Sequence, residues 1–131
     1  MRFGAVRGVL AASEGLETIL SLKSVLPTLP MIAGLSAHHL VALWLPPPLR
    51  RLYVARDNDE AGRLAAERLR IRGAASGLEV RDLAPVLDDF NADLVQLGPA
   101  AMLRSLVPQL VPVDRVRFVP PEFCRGGRGG A

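Results

Sequence analysis

The chain carries one cysteine, one tryptophan, one tyrosine, two histidines and a single lysine in 131 residues. The lone Cys124 excludes an internal disulfide and a thiolate metal cluster. It falls in a Pro/Gly/Arg-rich end with no general base expected beside it, so a nucleophilic role is not indicated. His38 and His39 are adjacent, and neighbouring side chains on a helix point in different directions, which argues against a shared metal site. Long apolar runs are also missing. No stretch approaches the roughly 20 apolar residues of a membrane span, and residues 9–12 make a run far shorter than a signal-peptide core. A soluble, cytoplasmic protein with no membrane partner is expected.

Half of the residues are hydrophobic, enough at this length for one domain with a core and too little chain for two ordinary ones. Net charge is only +3, yet fifteen of the sixteen basic residues are arginine. The planar guanidinium fork suits phosphate oxygens better than a lysine point charge does. Arginine usage of this kind also follows from genomic base composition, to which the Ala, Leu and Gly content points equally.

Along the chain, apolar runs alternate with helical periodicity. A strand is expected over residues 6–13, ending at Ser13-Glu14-Gly15. A helix carrying Leu16, Ile19, Leu20 and Leu26 follows and stops at Pro27. A second strand spans 29–33, and a helix capped by Ser36 runs through Leu40, Val41 and Trp44 to the prolines at 46–48. The strand at 52–55 leads into Asp57-Asn58-Asp59-Glu60 and an amphipathic helix with Ala61, Leu64, Ala65 and Leu69 on its inner face. Leu78 and Val80 mark a strand nearer the sheet edge, and two short helices are expected near 91–97 and 99–107. Residues 119–131 read as a disordered tail. Strand and helix in alternation predict an α/β domain with a mainly parallel sheet, whose ligands bind beyond the carboxyl ends of the strands.

Glu14 and Asp57 each directly follow a strand, so both fall at that edge. Carboxylates from different strand ends repel unless a cation compensates, and Mg²⁺ takes hard oxygen ligands of this kind. In Asp57-x-Asp59 one loop presents two carboxyls to one pocket. Each piece also has a plainer reading: Asp57 or Asn58 as a helix cap, and Asp59, Glu60 or Glu14 as charges favouring a helix N-terminus. Arg56 and Arg63 are the basic side chains placed to guide a nucleic-acid strand, or simply solvated arginines.

Taken together, strand-Glu14-Gly15-Leu16-Glu17-Thr18, Pro30-Met31-Ile32-Ala33-Gly34-Leu35-Ser36, Asp57-Asn58-Asp59-Glu60-Ala61-Gly62 and Asp88-Asp89-Phe90-Asn91 resemble the Toprim domain of topoisomerases and primases, in the branch of phage- and plasmid-type primases and primase-helicases. The likeness covers roughly residues 4–118, including Pro108-Gln109-Leu110, which marks 1–118 as the domain. It implies a compact Rossmann-like α/β fold, with a central, mainly parallel four-stranded sheet and helices on both faces. It makes Glu14 a catalytic acid/base or metal ligand, and Asp57 and Asp59 the pair binding Mg²⁺ (or Mn²⁺). The last acidic ligand becomes Asp89, with Asp88 and Asp93 as the other candidates. Where that branch commonly has Asp directly after Asp-Phe-Asn, Ala92 here separates Asn91 from Asp93.

The implied function is Mg-dependent phosphodiester chemistry on DNA or RNA and nucleotides, as the metal-binding part of a DNA primase-type nucleotidyltransferase. One cysteine and thirteen residues before Glu14 leave no room here for a zinc-binding segment. A zinc-binding primase core or a helicase is therefore expected on a separate chain, with this one a fragment, a split product or a standalone module. A Toprim-type nuclease and a non-catalytic nucleic-acid-binding module are the alternatives. A receiver-type signalling domain also gathers acids at strand ends, but needs a lysine beyond a late strand, and Lys23 lies in the first helix.

Overall fold

The computed structural model describes residues 2–3, 8–34 and 49–124. Along them run β1 (Arg2–Phe3), β2 (Val9–Ser13), α1 (Leu16–Val25), β3 (Met31–Ala33), β4 (Arg51–Ala55), α2 (Glu60–Ala75) and β5 (Glu79–Leu83). Then come α3 (Phe90–Ala92), a π-helical turn (Asp93–Leu97), α4 (Pro99–Leu106), a 3-10 turn (Val107–Gln109) and α5 (Pro112–Phe118). The expected helix from Ser36 through Trp44, with His38 and His39, lies outside the described residues, as do residues 6–7 of the expected first strand.

Among the described residues the sheet has the order β1-β3-β2-β4-β5. Strands β2 to β5 are parallel, as expected, and β1 adds a short antiparallel edge beside β3. Two residues hold no alternation to read, so β1 left no signal in the sequence.

Side-chain alternation splits the core in two. Val9, Ala11, Tyr53, Ala55 and Leu83 face one way, against Ile19 and Leu22 of α1, Phe90 of α3 and the C-terminal helices. Leu10, Ala12, Leu52, Val54 and Val80 face the other way, against Ala66 and Leu69 of α2. With helices over both faces, the central strands have no solvated side, which is why they read as continuous apolar runs. Each fully buried large side chain, such as Phe90 or Leu52, contributes roughly 1.5–3 kcal/mol relative to exposure.

Two expectations are corrected. The buried stripe of α2 is Ala66, Leu69 and Gly73, while Leu64 is 44% exposed. The stripe is turned because Gly73 lies against Val80 and the Leu78 carbonyl, where a Cβ would not fit, and this close approach sets the helix on the sheet. The tail does not begin at 119 either: Val119 is buried, residues 121–124 form a helical turn, and Phe123 and Cys124 pack against the core. Cys124 Sγ lies 3.4 Å from the Arg115 carbonyl. The sequence beyond lies outside the described residues.

At the amino end of β4 a buried polar knot ties α5 to the sheet. Tyr53 Oη donates to Asp114 Oδ2 at 2.5 Å, and Arg51 Nη1 donates to the same oxygen at 2.9 Å. Tyr53 Oη also accepts from the Val111 backbone N–H at 3.0 Å. At the other end of the edge strand, the Gln109 amide pairs with the Ala84 backbone, donating to its carbonyl at 3.0 Å and accepting from its N–H at 2.8 Å.

Candidate functional site

β2 and β4 are adjacent parallel strands, with β3 on the far side of β2. The chain therefore leaves β2 in one direction and returns on its other side, the topological switch at which open α/β sheets bind ligands. Glu14 follows β2 and Asp57 follows β4, so the switch brings together residues 43 positions apart.

A cleft of about 210 Å³ opens there, lined by Glu14, Asp57 and Asp59, by Gly15 and Thr18 at the start of α1, and by Gly62 at the start of α2. Glu14, Asp57 and Asp59 are exposed. Partial burial pushes the Asp57 carboxyl above its ordinary range, and the charges of Asp59, Asp89 and Glu14, in that order, push it further. Glu14, Asp57 and Asp59 thus share one cleft, while Asp89 is not among its lining residues and its charge reaches Asp57.

These acids do not close into a cage. Among the described residues, no three His, Cys, Asp or Glu side chains stand together as a metal-holding group. Asp59 Oδ1 accepts from Gly62 N at 2.7 Å and caps α2, so the capping role open to Asp57 or Asn58 belongs to Asp59. Asp89 Oδ1 accepts from Ala92 N at 2.7 Å and caps α3. Each cap holds one carboxyl oxygen on a helix N-terminus. The donor set still fits Mg²⁺: all of it is hard oxygen, and this ion is commonly held by one or two carboxylates plus water and substrate phosphate.

The other acidic candidates separate cleanly. Asp93 is fully buried, and its two oxygens accept from Val86 N and Leu87 N at 2.8 Å each, so its carboxylate is spent holding the 84–89 loop. Asp88 is exposed, and its carbonyl accepts from Asn58 N at 2.8 Å. Sequence reasoning offered Asn58 only as a helix cap, whereas its Nδ2 reaches the Leu87 carbonyl at 3.1 Å and the Pro85 carbonyl at 3.4 Å. It passed over the reason for Gly62, where a Cβ would stand 2.5 Å from the Asp57 carbonyl oxygen.

The two arginines are engaged. Arg56 Nε donates to Asp82 Oδ2 at 3.2 Å and Nη1 to the Asp57 carbonyl at 3.3 Å, while Arg70 takes the other Asp82 oxygen at 2.6 Å. Arg63 pairs with Glu60 at 2.8 Å on the open surface. Lys23 donates to the Leu29 carbonyl at 3.2 Å, away from the acids.

A carboxyl whose pKa is higher folded than unfolded costs stability once it ionises; the cost is absent below the ordinary value and complete above the folded one. Replacing Asp57 by Asn should therefore raise the melting temperature of the metal-free protein slightly at pH 7. No such gain is expected below pH 3.8, the ordinary aspartate value. Thermal melts with a chelator present at the two pH values check this.

The sheet and the acids at its switch point define an α/β domain with a charged, cation-compatible cleft. Residues 9–100, most of the chain, match the Toprim domain model, and the chain belongs to the Toprim family. The family's chemistry is metal-dependent work on nucleic acid, in primases, nucleases and topoisomerases alike. Searches of curated proteins and of solved structures return no match. No helix among the described residues is long and apolar enough to cross a membrane.

Proposed function

We propose that this chain is the metal-binding module of a DNA primase-type nucleotidyltransferase, acting on a DNA or RNA strand and nucleotides in the cytoplasm beside a zinc-binding primase core or helicase on another chain. The observation that carries the metal reading is the cleft at the switch point, which Glu14, Asp57 and Asp59 line with carboxylates from two adjacent strand ends, a hard-oxygen set that a divalent cation suits. The primase branch rests on the sequence likeness running from Glu14-Gly15 through Asp57-Asn58-Asp59 to Asp89-Phe90-Asn91.

Asp57 and Asp59, with Glu14 and Asp89, would hold Mg²⁺ or Mn²⁺, which when bound neutralises charge developing on a phosphoryl group. Asp59 keeps Oδ2 for this task while Oδ1 holds α2 in place. Glu14 stands at the mouth of the cleft, exposed, where a carboxylate can take a proton from an attacking hydroxyl or return one to a leaving oxygen. Arg63 guides the strand: its surface ion pair with Glu60 is worth little and exchanges readily for a phosphate. Arg56, fixed by Asp82, lends positive potential beside the acids.

The test combines titration calorimetry with turnover on single-stranded template, nucleotides and Mg²⁺ or Mn²⁺. Binding is expected in the millimolar range, roughly as for a site that leaves Mg²⁺ several of its waters, and is lost in Asp57→Asn/Asp59→Asn. Equal binding by both proteins removes the site. Primer synthesis supports the primase reading, and cleavage without synthesis replaces it with a nuclease. Nucleic-acid binding unchanged in the double variant, with no turnover in the wild type, leaves a non-catalytic module.

A further inference from the structure

Asp89 ends the 84–89 loop, which is joined to the loop of Asp57 and Asp59 by the Asn58 N–H on the Asp88 carbonyl. We propose that Asn58 is the positioning residue of this site, a neutral clasp between the two acidic loops. This deepens the metal-binding reading and depends on it for its functional half.

The 84–89 loop is tied at its start by Gln109, which pairs with Ala84, and beyond that is gripped from two sides. From beneath, the buried Asp93 carboxylate accepts from the Val86 and Leu87 N–H groups. From the side of the acids, Asn58 supplies donors: its backbone N–H goes to the Asp88 carbonyl at 2.8 Å, and its side-chain amide to the Leu87 and Pro85 carbonyls at 3.1 and 3.4 Å. Residues 85–88 are thus sorted, with the Val86 and Leu87 amides turned toward Asp93 and the Pro85, Leu87 and Asp88 carbonyls toward Asn58. The next residue is Asp89, whose charge reaches Asp57.

The residue type matters. Asn58 sits between Asp57 and Asp59, where a donor is needed and further negative charge is not. An amide has two N–H groups; a carboxylate of the same shape has none and would repel both neighbours. Asn58 lies on the surface, so packing gives no reason for a side chain of this size. Partners that orient ligands without being ligands commonly set metal affinity by about 10- to 100-fold.

The full-length protein is compared with Asn58→Ala and Asn58→Asp by amide hydrogen exchange and by Mn²⁺-induced NMR line broadening. In both variants, exchange at Val86 and Leu87 should speed up by roughly tenfold or more while the β2 and β4 amides stay protected. Mn²⁺ affinity should fall about tenfold, and broadening at Asp89 should weaken relative to that at Glu14 and Asp57. Unchanged exchange in both variants overturns the clasp. So does wild-type behaviour of Asn58→Asp, since the two side chains differ in donors and charge but not in shape. If Mn²⁺ broadens none of the acidic residues in the wild type, the metal reading falls, and the exchange data still decide separately whether Asn58 holds the loop.

Discussion

Replacing Asp114 by Ala should destabilise the domain by about 3 kcal/mol, the lower end of the cost of removing one member of a buried ion pair. Asp114 is fully buried, and its Oδ2 receives both the Tyr53 hydroxyl and the Arg51 guanidinium. Without it, a buried hydroxyl loses its acceptor, and Arg51 keeps only Glu79, at 3.1 Å on a more exposed side. The lower end applies because Arg51 retains that second partner. Burial, then the bond to Asp114, holds the Tyr53 phenol protonated well above its ordinary range, so the hydroxyl stays a donor at any working pH. Tyr53→Phe, which leaves the carboxylate in place, should cost less, about 1–2 kcal/mol. Arg51 and Asp57 stand at opposite ends of β4, roughly 20 Å apart along an extended strand. Denaturant midpoints should therefore fall while metal affinity, measured where the protein is still folded, does not change. A variant that lost both together would show that the knot and the cleft are not separable.

Gly62→Ala should do the reverse, damaging the cleft more than the fold. Alanine is the better helix former by about 0.5–1 kcal/mol, and Gly62 is not among the glycines with positive φ, so the backbone itself raises no objection. The obstacle is contact: the new Cβ would stand 2.5 Å from the Asp57 carbonyl oxygen and 3.0 Å from Asp59 Oδ1. The neighbour is backbone, so the acidic loop has to move. Overpacking of this kind costs about 1–3 kcal/mol, offset in part by helix propensity, and net stability should drop by no more than about 2 kcal/mol. Metal affinity should fall by about tenfold or more, as when the support around a site is disturbed. Calorimetric titration of the folded variant beside its melting curve checks both halves, and unchanged affinity would mean that the loop yields without displacing its carboxyls.

The sequence showed most of what the sheet needs. β2 and β4 were readable because burial on both faces leaves unbroken apolar runs, and α1 because Pro27 must end it. The inner face of α2 was misread because small residues decide it: Gly73 admits Val80, and a stripe of Ala66, Leu69 and Gly73 scores poorly as hydrophobic. α5 went unnoticed although Pro112 stands at its first turn, and Phe123 and Cys124 looked like tail because their neighbours are Pro, Gly and Arg. At the switch point, type and spacing were enough to put Glu14, Asp57 and Asp59 at one sheet edge, whereas Asp89 was reached only through the family likeness. The duties of Asn58, Asp93 and Gly62 were not legible, because each depends on what the 84–89 loop or the acidic loop does in space, and no local pattern records it.

The strand order has a consequence for how the protein comes into being. Glu14 emerges before its neighbours across the cleft, which belong to β4 and to the loop beyond β5 and are separated from it by α1 and β3. No short stretch of nascent polypeptide contains the cleft, and such distant pairings close late. The cation affinity proposed for this edge is thus one that a half-made domain would not possess, and its appearance would mark the moment the domain has come together.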